Sequence, residues 1–276
     1  PLRLLDSDLK LVPGEHGAES RVILAAQVRV GITELNHTVE PSGALQDRGV
    51  EQVGSLAVAT TITPEERKPG ERGPLKSQFI KGKEYAPFLF DNDAVKDEFK
   101  ILHLPLGLDN VLDPLVRARL FAFGSDRANA ASQVAMMNTI FLREHNRLAC
   151  KMEAADTDWD DERVFETARS TTIVLFIKIV VEEYINHISP YTPPFHFRAD
   201  PEVAWDAPWN KPNWVTTEFS LLYRWHSLIP DTITWSGKTL PVYQTFMDNQ
   251  FLLEAGLLRA FSDISDQPAG CLGPFN

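Results

Sequence analysis

Two long segments with the apolar spacing of α-helices restrict the fold of this chain more than any other feature of its sequence. Residues 132–152 are apolar on one side and polar on the other, which predicts an amphipathic helix. Residues 165–188 are apolar nearly all round their middle, which predicts a buried central helix. From about Asp113 onward the chain is therefore expected to be mainly α-helical. The apolar positions that define the two helices are Val134, Met137, Phe141 and Leu148, and then Phe165, Ala168, Ile173, Phe176, Ile177, Val180, Val181, Tyr184 and Ile188.

A run of five carboxylates, within residues 156–162, separates the two predicted helices. Negative side chains favour the first turn of a helix, where they accept from free backbone N–H groups and oppose the helix dipole. A calcium loop is the alternative, but the run lacks the glycine and the terminal glutamate of an EF-hand. Helix capping is the favoured interpretation.

The sequence before Asp113 is less regular, so we divide the chain into an irregular portion, 1–112, and a helical core, 113–276, which together form one domain. Residues 20–40 predict a helix, and residues 63–73, rich in Pro, Gly and charge, predict an exposed, mobile loop. Lys81-Gly82-Lys83 predicts the turn of a β-hairpin. Near the other end, Trp235-Ser236-Gly237-Lys238 predicts a turn and residues 251–261 predict one amphipathic helix.

Composition excludes several functional classes. The 276 residues carry a net charge of −11, and no stripe of Lys and Arg offers a surface for nucleic acid. The longest apolar run, 173–181, is far shorter than a membrane span requires, and peripheral membrane contact stays unknown. Cys150 and Cys271 form neither a metal-ligand spacing nor a disulfide framework, which favours a reducing compartment such as the cytoplasm without establishing one. Because the sequence begins at Pro1 and ends without a recognisable finish, we expect a chain that is incomplete at both ends.

The stretch 217–230 carries the chemistry-bearing residues. It places Tyr223 and His226 three positions apart in an apolar run that ends at Pro230, so on a helix both rings would project from the same side. An imidazole can ligate haem iron alone, because the porphyrin supplies the other four equatorial ligands. A phenol beside it can be oxidised. The alternative is a pair of core residues whose polar tips are satisfied, and the residues alone do not decide between the two.

The chain carries two longer motifs, Phe141-Leu142-Arg143-Glu144-His145-Asn146-Arg147-Leu148-Ala149 and Glu218-Phe219-Ser220-Leu221-Leu222-Tyr223-Arg224-Trp225-His226-Ser227-Leu228-Ile229-Pro230-Asp231. Both resemble the haem peroxidase and cyclooxygenase superfamily, and the likeness extends over about residues 77–270. The arrangement Tyr-x-Trp-His, with Arg224 in the second place, is most similar to the fatty-acid dioxygenase branch that contains the prostaglandin synthases. The resemblance implies a mainly α, haem peroxidase-type helical domain with a small irregular and β-hairpin N-terminal portion, in a bacterial member of the family.

The resemblance assigns the central roles. His226 is expected to be the proximal ligand of the haem iron, and Tyr223 the residue that becomes a tyrosyl radical. Arg127 lies 16 residues before Arg143, where the peroxidase branch places its distal arginine and the prostaglandin synthases do not keep it. A surface or structural arginine is the alternative. His145 is expected to form structural hydrogen bonds and not to ligate iron.

Further residues of the same motifs are expected to surround the haem and the acyl channel. Ser220, Leu222 and Trp225 would contact the cofactor, and Leu222 and Trp225 would also line the channel. Phe219 and Tyr184 would contact the substrate, and Tyr184 corresponds to a tyrosine that hydrogen-bonds the radical tyrosine in cyclooxygenases.

The distal side departs from the family pattern. None of His16, His37 and His103 stands in a distal-histidine motif, and the calcium loop of the family is expected outside this chain. Ala130 takes the place of a glutamate that forms an ester to haem in mammalian peroxidases. The implied cofactor is therefore haem b without that ester bond.

The function implied by the resemblance is haem-dependent oxygenation of an unsaturated fatty acid through a tyrosyl radical, together with peroxidase activity. The expected partners are the fatty acid or a small reducing substrate, O2 and hydrogen peroxide. One alternative is a haem peroxidase that oxidises small substrates with hydrogen peroxide. The other is a non-catalytic helical relative that keeps the motifs for packing.

Overall fold

A computed structural model of the chain describes residues 71–92, 94–100, 113–123, 126–188, 196–200, 208, 217–218 and 228–270, with the side chains of 126, 127 and 188 excluded. Helices dominate these residues, and the strands form three two-stranded antiparallel sheets. The mainly α class predicted from the sequence is therefore confirmed. No helix in the described part of the chain is long and apolar enough to cross a membrane. The predicted helix 20–40 lies outside the described residues.

The two long predicted helices are present and pack against each other. After a short first helix, α1 (Pro114–Arg117), the chain forms α2 (Ser132–Ala155) and α3 (Asp161–Lys178). The side chain of Asp160 accepts a hydrogen bond from the backbone N–H of Arg163 and so caps α3. The acidic run therefore includes a capping residue, as predicted. Among the described residues no cluster of His, Cys, Asp and Glu could hold a metal ion.

Helix α3 continues without a break into a π-helix, Ile179–Ile185, and then into the short helix α4 (Asn186–Ile188). Burial is confined to one side of α3, since Val174 is 54% exposed and Ile177 is 37% exposed. The prediction of a helix buried all round was therefore wrong. Apolar periodicity alone does not distinguish a side chain that is covered from one that stays exposed.

The two predicted turns are both confirmed as β-hairpins. Strands β1 (Gln78–Ile80) and β2 (Lys83–Tyr85) pair across Lys81-Gly82. Strands β5 (Thr232–Trp235) and β6 (Lys238–Pro241) pair across Ser236-Gly237. In both turns the two central residues have positive φ, which is the geometry of a type I′ hairpin turn. Strands β3 (Phe90–Asp91) and β4 (Ala94–Val95) form the third pair.

The predicted helix 251–261 is two helices. Helix α5 (Gln250–Ala255) ends at Gly256, whose φ of +77° no helix can continue, and α6 (Leu257–Ser265) begins directly after it. The apolar spacing runs across the break because both helices contact the same core. Periodicity therefore predicted one element where the glycine separates two.

One hydrophobic core joins segments that are distant in sequence. Its buried residues come from the strand region before residue 90, from 121–128, from α2 and α3, and from β5 to α6. Phe121 is stacked between Tyr85 and Phe88, with ring centroids 5.7 and 5.6 Å away. The core holds α2 between the N-terminal hairpin and the C-terminal helices. It consists of Leu75, Tyr85, Ala86, Phe121, Phe123, Ala128, Ala135, Met136, Ile140, Leu142, Phe165, Ile233, Trp235, Leu240, Leu252, Leu257, Ala260 and Ile264.

Gly73 lies in the interior, although the sequence predicted an exposed, mobile loop up to this residue. Its backbone N–H donates to Asp161 (2.8 Å), and its carbonyl accepts from the ring of His145 (3.0 Å). With a φ of +88°, Gly73 would place an added Cβ only 2.5 Å from Cγ1 of Val164. The described end of the predicted loop is thus fixed against α3.

Replacing Gly73 with alanine is expected to lower the free energy of unfolding by about 3 kcal/mol or more, because a positive φ and a collision with α3 add together. Gly82→Ala is the matched control. Gly82 also has a positive φ (+74°), but an added Cβ there meets nothing within 4 Å. Its cost should stay near the roughly 1–2 kcal/mol of the left-handed backbone alone. Denaturant unfolding measures both, and equal losses would contradict a close approach at Gly73.

Candidate functional site

Arg127 lies in a 3-10 helix, Asp126–Asn129, which we call the Arg127 turn and which two residues separate from α2. The side-chain amide of Asn129, 1% exposed, holds the end of this turn. Its oxygen accepts from the backbone N–H of Phe121 (3.0 Å), and its nitrogen donates to the Phe121 carbonyl (2.8 Å). The turn is thereby tied to the chain segment that precedes it.

The segment 246–249 contacts the residues that join the Arg127 turn to α2. Phe246 forms an antiparallel bridge with Ala131, and the N–H of Met247 donates to the Ala130 carbonyl (3.1 Å). The hydroxyl of Ser132 donates to the backbone carbonyl of Asp248. The start of α2 therefore has backbone contacts with a loop more than a hundred residues later.

The motif 143–147 has a structural role that the contacts explain. Nε of Arg143 donates to the Glu84 carbonyl on β2 (2.7 Å), and its guanidinium lies 5.2 Å from the centroid of the Tyr85 ring. Within α2, Arg147 forms two hydrogen bonds with Glu144, of 2.6 and 2.8 Å. The hydrogen bonds with Glu144 raise the pKa of Arg147, which therefore stays cationic.

His145 and Asn146, from the middle of the same motif, hold the segment 73–75 against α2. Nε2 of the fully buried His145 ring donates to the Gly73 carbonyl, and the ring also packs on Phe165 of α3. The amide of Asn146 accepts from the N–H of Leu75 (2.7 Å) and donates to the Leu75 carbonyl (3.2 Å). These contacts explain how an imidazole and an amide in this motif stabilise the fold, the role expected for His145.

Tyr184 is the one predicted site side chain that the structure describes. It is 6% exposed and lies in the π-helix that follows α3. A π-helix shifts the following side chains around the helix axis, and such segments occur often at functional sites. The sequence placed Tyr184 on a regular helix, so the altered geometry was not predicted.

Two polar residues of the π-helix region hold the segment 197–199. The amide of Asn186 accepts from the N–H of Phe197 (2.7 Å) and donates to the Phe197 carbonyl (2.8 Å). Oε1 of Glu182 accepts from Lys178 (3.0 Å) and from the N–H of Ala199 (3.2 Å). We call Glu182 and Asn186 with the residues they contact the 197–199 clamp.

The remaining predicted site residues fall outside the part of the chain that the structure describes. The backbone of Arg127 is described, but its side chain is not. The structure therefore does not test whether Arg127 and Tyr184 meet the other predicted site residues around one cofactor. The residues outside the description are Phe219, Ser220, Leu222, Tyr223, Trp225 and His226.

Sequence reasoning missed the polar residues that hold these elements. Asn129, Asn186 and Asn249 are single amides without a motif of their own, and their partners are backbone groups of other segments, 8, 11 and 130 residues away. Neither periodicity nor local spacing reports such a contact. The only available signal was an asparagine inside or beside a helix, where that residue is otherwise unfavourable.

Comparison with known proteins gives the family. The sequence profile named animal haem peroxidase matches residues 66–271. Prostaglandin G/H synthase 2 of Equus caballus is 33% identical over 199 residues, which are 72% of this chain. Prostaglandin G/H synthase 1 of Canis lupus familiaris is 33% identical over 202 residues, 73% of this chain. The chain spans only 30% and 31% of the length of these two relatives.

A solved structure supports the fold. Peroxidase A from Dictyostelium discoideum aligns with a TM-score of 0.57 and 22% sequence identity, over 79% of this chain and 40% of that one. This likeness shows a peroxidase-type fold, as the resemblance implied, and nothing about the reaction.

The 197–199 clamp is expected to open in acid. The hydrogen bond from Lys178, aided by the N–H of Ala199 and by the charges of Lys178 and Arg198, lowers the pKa of Glu182. A carboxylate whose folded pKa is lowered contributes stability above its ordinary pKa and loses it as the pH falls through the lowered value. Protection of amides 196–200 from hydrogen exchange should therefore fall at a pH below the usual glutamate range.

Glu182→Gln should show weaker protection of the same amides at neutral pH and little further change in acid. Glu183→Gln, at the exposed neighbouring position, is the control and should keep the wild-type pH dependence. Protection in the wild type that does not vary with pH would contradict the role of the Glu182 carboxylate.

Proposed function

Because the chain belongs to the animal haem peroxidase family, we propose that it takes part in haem-dependent oxygenation of unsaturated fatty acids through a radical at Tyr223, with peroxidase activity. The observation that carries the proposal is the sequence Tyr223-Arg224-Trp225-His226, in a chain 33% identical to prostaglandin G/H synthases over most of its length. The name of these relatives refers to the synthesis of prostaglandins, and this supports a fatty-acid substrate for the present chain. The further substrates are O2 and hydrogen peroxide.

The residues present fit a haem in their donor chemistry. The iron would need one protein imidazole, which His226 would supply, and an oxygen species bound to the iron would need hydrogen-bond donors. The turn that carries Arg127 precedes α2, and no side chain caps the start of α2. In the described part of the chain, Nε2 of Gln133 is buried near that start without a hydrogen-bond partner. This donor-rich region suits an anionic or oxygen ligand.

The bound haem would supply the oxidising equivalents that peroxide delivers. Arg127 would donate hydrogen bonds to the oxygen that gains negative charge as the O–O bond of the peroxide breaks. Tyr223 would lose one electron and its phenolic proton and become a neutral radical. It would then take a hydrogen atom from the fatty acid, which restores the phenol and leaves a carbon radical. O2 would add to that carbon radical, and the resulting peroxyl radical would take a hydrogen atom back from the Tyr223 phenol, which gives the hydroperoxide and restores the tyrosyl radical. Ser220, Leu222 and Trp225 would contact the cofactor, and Phe219 and Tyr184 the acyl chain.

Peroxidase turnover with a small reducing substrate is the second candidate. Arg127 favours it, because an arginine at this position belongs to the peroxidase branch and the turn that carries it is firmly held. The two candidates share haem b and His226 and differ in their need for Tyr223. A non-catalytic relative would need none of these groups.

His226→Ala is expected to abolish the Soret absorption band that the haem-supplemented protein shows, because the iron loses its protein ligand. His196→Ala is the matched control, since His196 is exposed on the described surface. It should keep the wild-type spectrum. A wild-type protein without a Soret band after haem supplementation, or a band that His226→Ala leaves unchanged, would contradict haem ligation by His226.

Tyr223→Phe is expected to abolish fatty-acid-dependent O2 uptake while peroxidase turnover of a small phenol persists, because phenylalanine cannot lose a phenolic hydrogen. Tyr243→Phe is the control, with a side chain 63% exposed on the surface. An oxygen electrode and a peroxidase assay measure the two activities. Oxygen uptake that survives in Tyr223→Phe would contradict the radical role and favour the second candidate.

A further inference from the structure

The segment 246–249 contains two side chains that act on the Arg127 turn from outside it. Asp248 forms a two-pronged ion pair with Arg119, in which Nε–Oδ1 and Nη2–Oδ2 are both 2.9 Å. The two side chains are 23% and 17% exposed, so solvent screens this pair less than a surface pair. Oδ1 of Asp248 also accepts from the N–H of Gln250 (2.9 Å), which fixes the carboxylate on its own loop.

Asn249 connects both sides of the turn through one amide nitrogen. Its Nδ2 donates to the Arg119 carbonyl (3.0 Å) and to Oδ1 of Asn129 (3.1 Å), the last residue of the turn. Asn249 is 0% exposed, as is Phe121, whose N–H and carbonyl both bond to Asn129. The two asparagine amides and the backbone of 119–121 therefore form one buried polar network.

The network ends at Asn129, the last residue of the turn that carries Arg127. A 3-10 helix has poorer hydrogen-bond geometry than an α-helix, so an isolated turn of this kind depends on outside contacts for its orientation. Asn129 follows Arg127 by two positions, and Met247 bonds the residue after Asn129. A hydrogen bond lost inside this network would have no water to replace it, because the partners are buried.

We propose that Asp248 and Asn249 are positioning residues that hold the Arg127 turn so that the arginine meets the peroxide in a fixed place. The proposal rests on the proposed function, in which Arg127 donates to the breaking O–O bond. Asp248 acts through Arg119, and Asn249 acts through Arg119 and Asn129. Displacement of a catalytic donor by about 1 Å can cost on the order of a hundredfold in rate, so removal of one buried donor is enough to be measured.

The test is a double-mutant cycle in the haem-loaded chain, with Asn249→Ala, Arg127→Ala and the combination of both. Asn249→Ala alone is expected to lower kcat/KM for hydrogen peroxide by about tenfold or more, since the arginine is misplaced. In the Arg127→Ala background, Asn249→Ala should lower kcat/KM no further, because a residue that acts through Arg127 has nothing left to position. Independent, additive losses would overturn the proposal.

Asn138→Ala is the matched control for general destabilisation. Asn138 is also buried, at 3% exposure, but its amide donates only to the Val134 carbonyl of its own helix. It should leave the dependence on Arg127 unchanged. A loss of kcat/KM as large as that of Asn249→Ala would assign the effect to stability and overturn the proposal.

Hydrogen exchange of the haem-free chain gives a second measurement that needs no activity. Asn249→Ala should speed exchange in residues 126–133 and leave α3 unchanged, whereas unchanged exchange in 126–133 would overturn the proposal.

Failure of the proposed function and failure of the inference are distinguishable. If Arg127→Ala itself keeps full peroxide turnover, the proposed role of Arg127 fails and the inference with it. If Arg127→Ala is impaired and Asn249→Ala is not, only the inference fails.

Discussion

The amide of Asn146 holds the irregular N-terminal segment on the helices, and the rest of the described structure depends on that attachment. Besides its two bonds with Leu75, its nitrogen donates to the carboxylate of Glu84 on β2 (2.8 Å). Each buried backbone group left unpaired would cost about 1–3 kcal/mol. His145 extends the attachment to Gly73, which in turn approaches α3 too closely for any Cβ. One short motif thus joins the hairpin, α2 and α3.

The same device recurs at the other irregular segments. In the described part of the chain each sheet has only two strands, so many backbone N–H and C=O groups of the connecting segments must find partners outside regular structure. Asparagine suits this task because its amide offers a donor and an acceptor side by side, so it can bond both the N–H and the C=O of one residue. Asn146, Asn129 and Asn186 each do so, at Leu75, Phe121 and Phe197.

The sequence predicted the elements that local rules control. Apolar periodicity located α2 and α3, and Lys-Gly and Ser-Gly pairs located both hairpins, because turn geometry depends on residues in the turn itself. Two of the wrong predictions depended on distant contacts, whereas the division of 251–261 at Gly256 has a local cause. The loop up to Gly73 was predicted to be exposed because nothing local reveals its bonds to His145 and Asp161, and the exposure of Val174 depends on what packs beside α3.

The candidate site likewise combines residues that a motif identifies with contacts that only the structure shows. The roles expected for Tyr223 and His226 came from a motif, whereas no motif reports the network that we propose to position the Arg127 turn. Helix α2 has 24 residues and is therefore about 36 Å long. The ties to 119–121 and 246–249 are made by residues 129–132, at and just before its start, and its later turns carry the ties to 73–75. Because a helix is stiff over this length, the attachment at Asn146 and the orientation of the Arg127 turn share one rigid element.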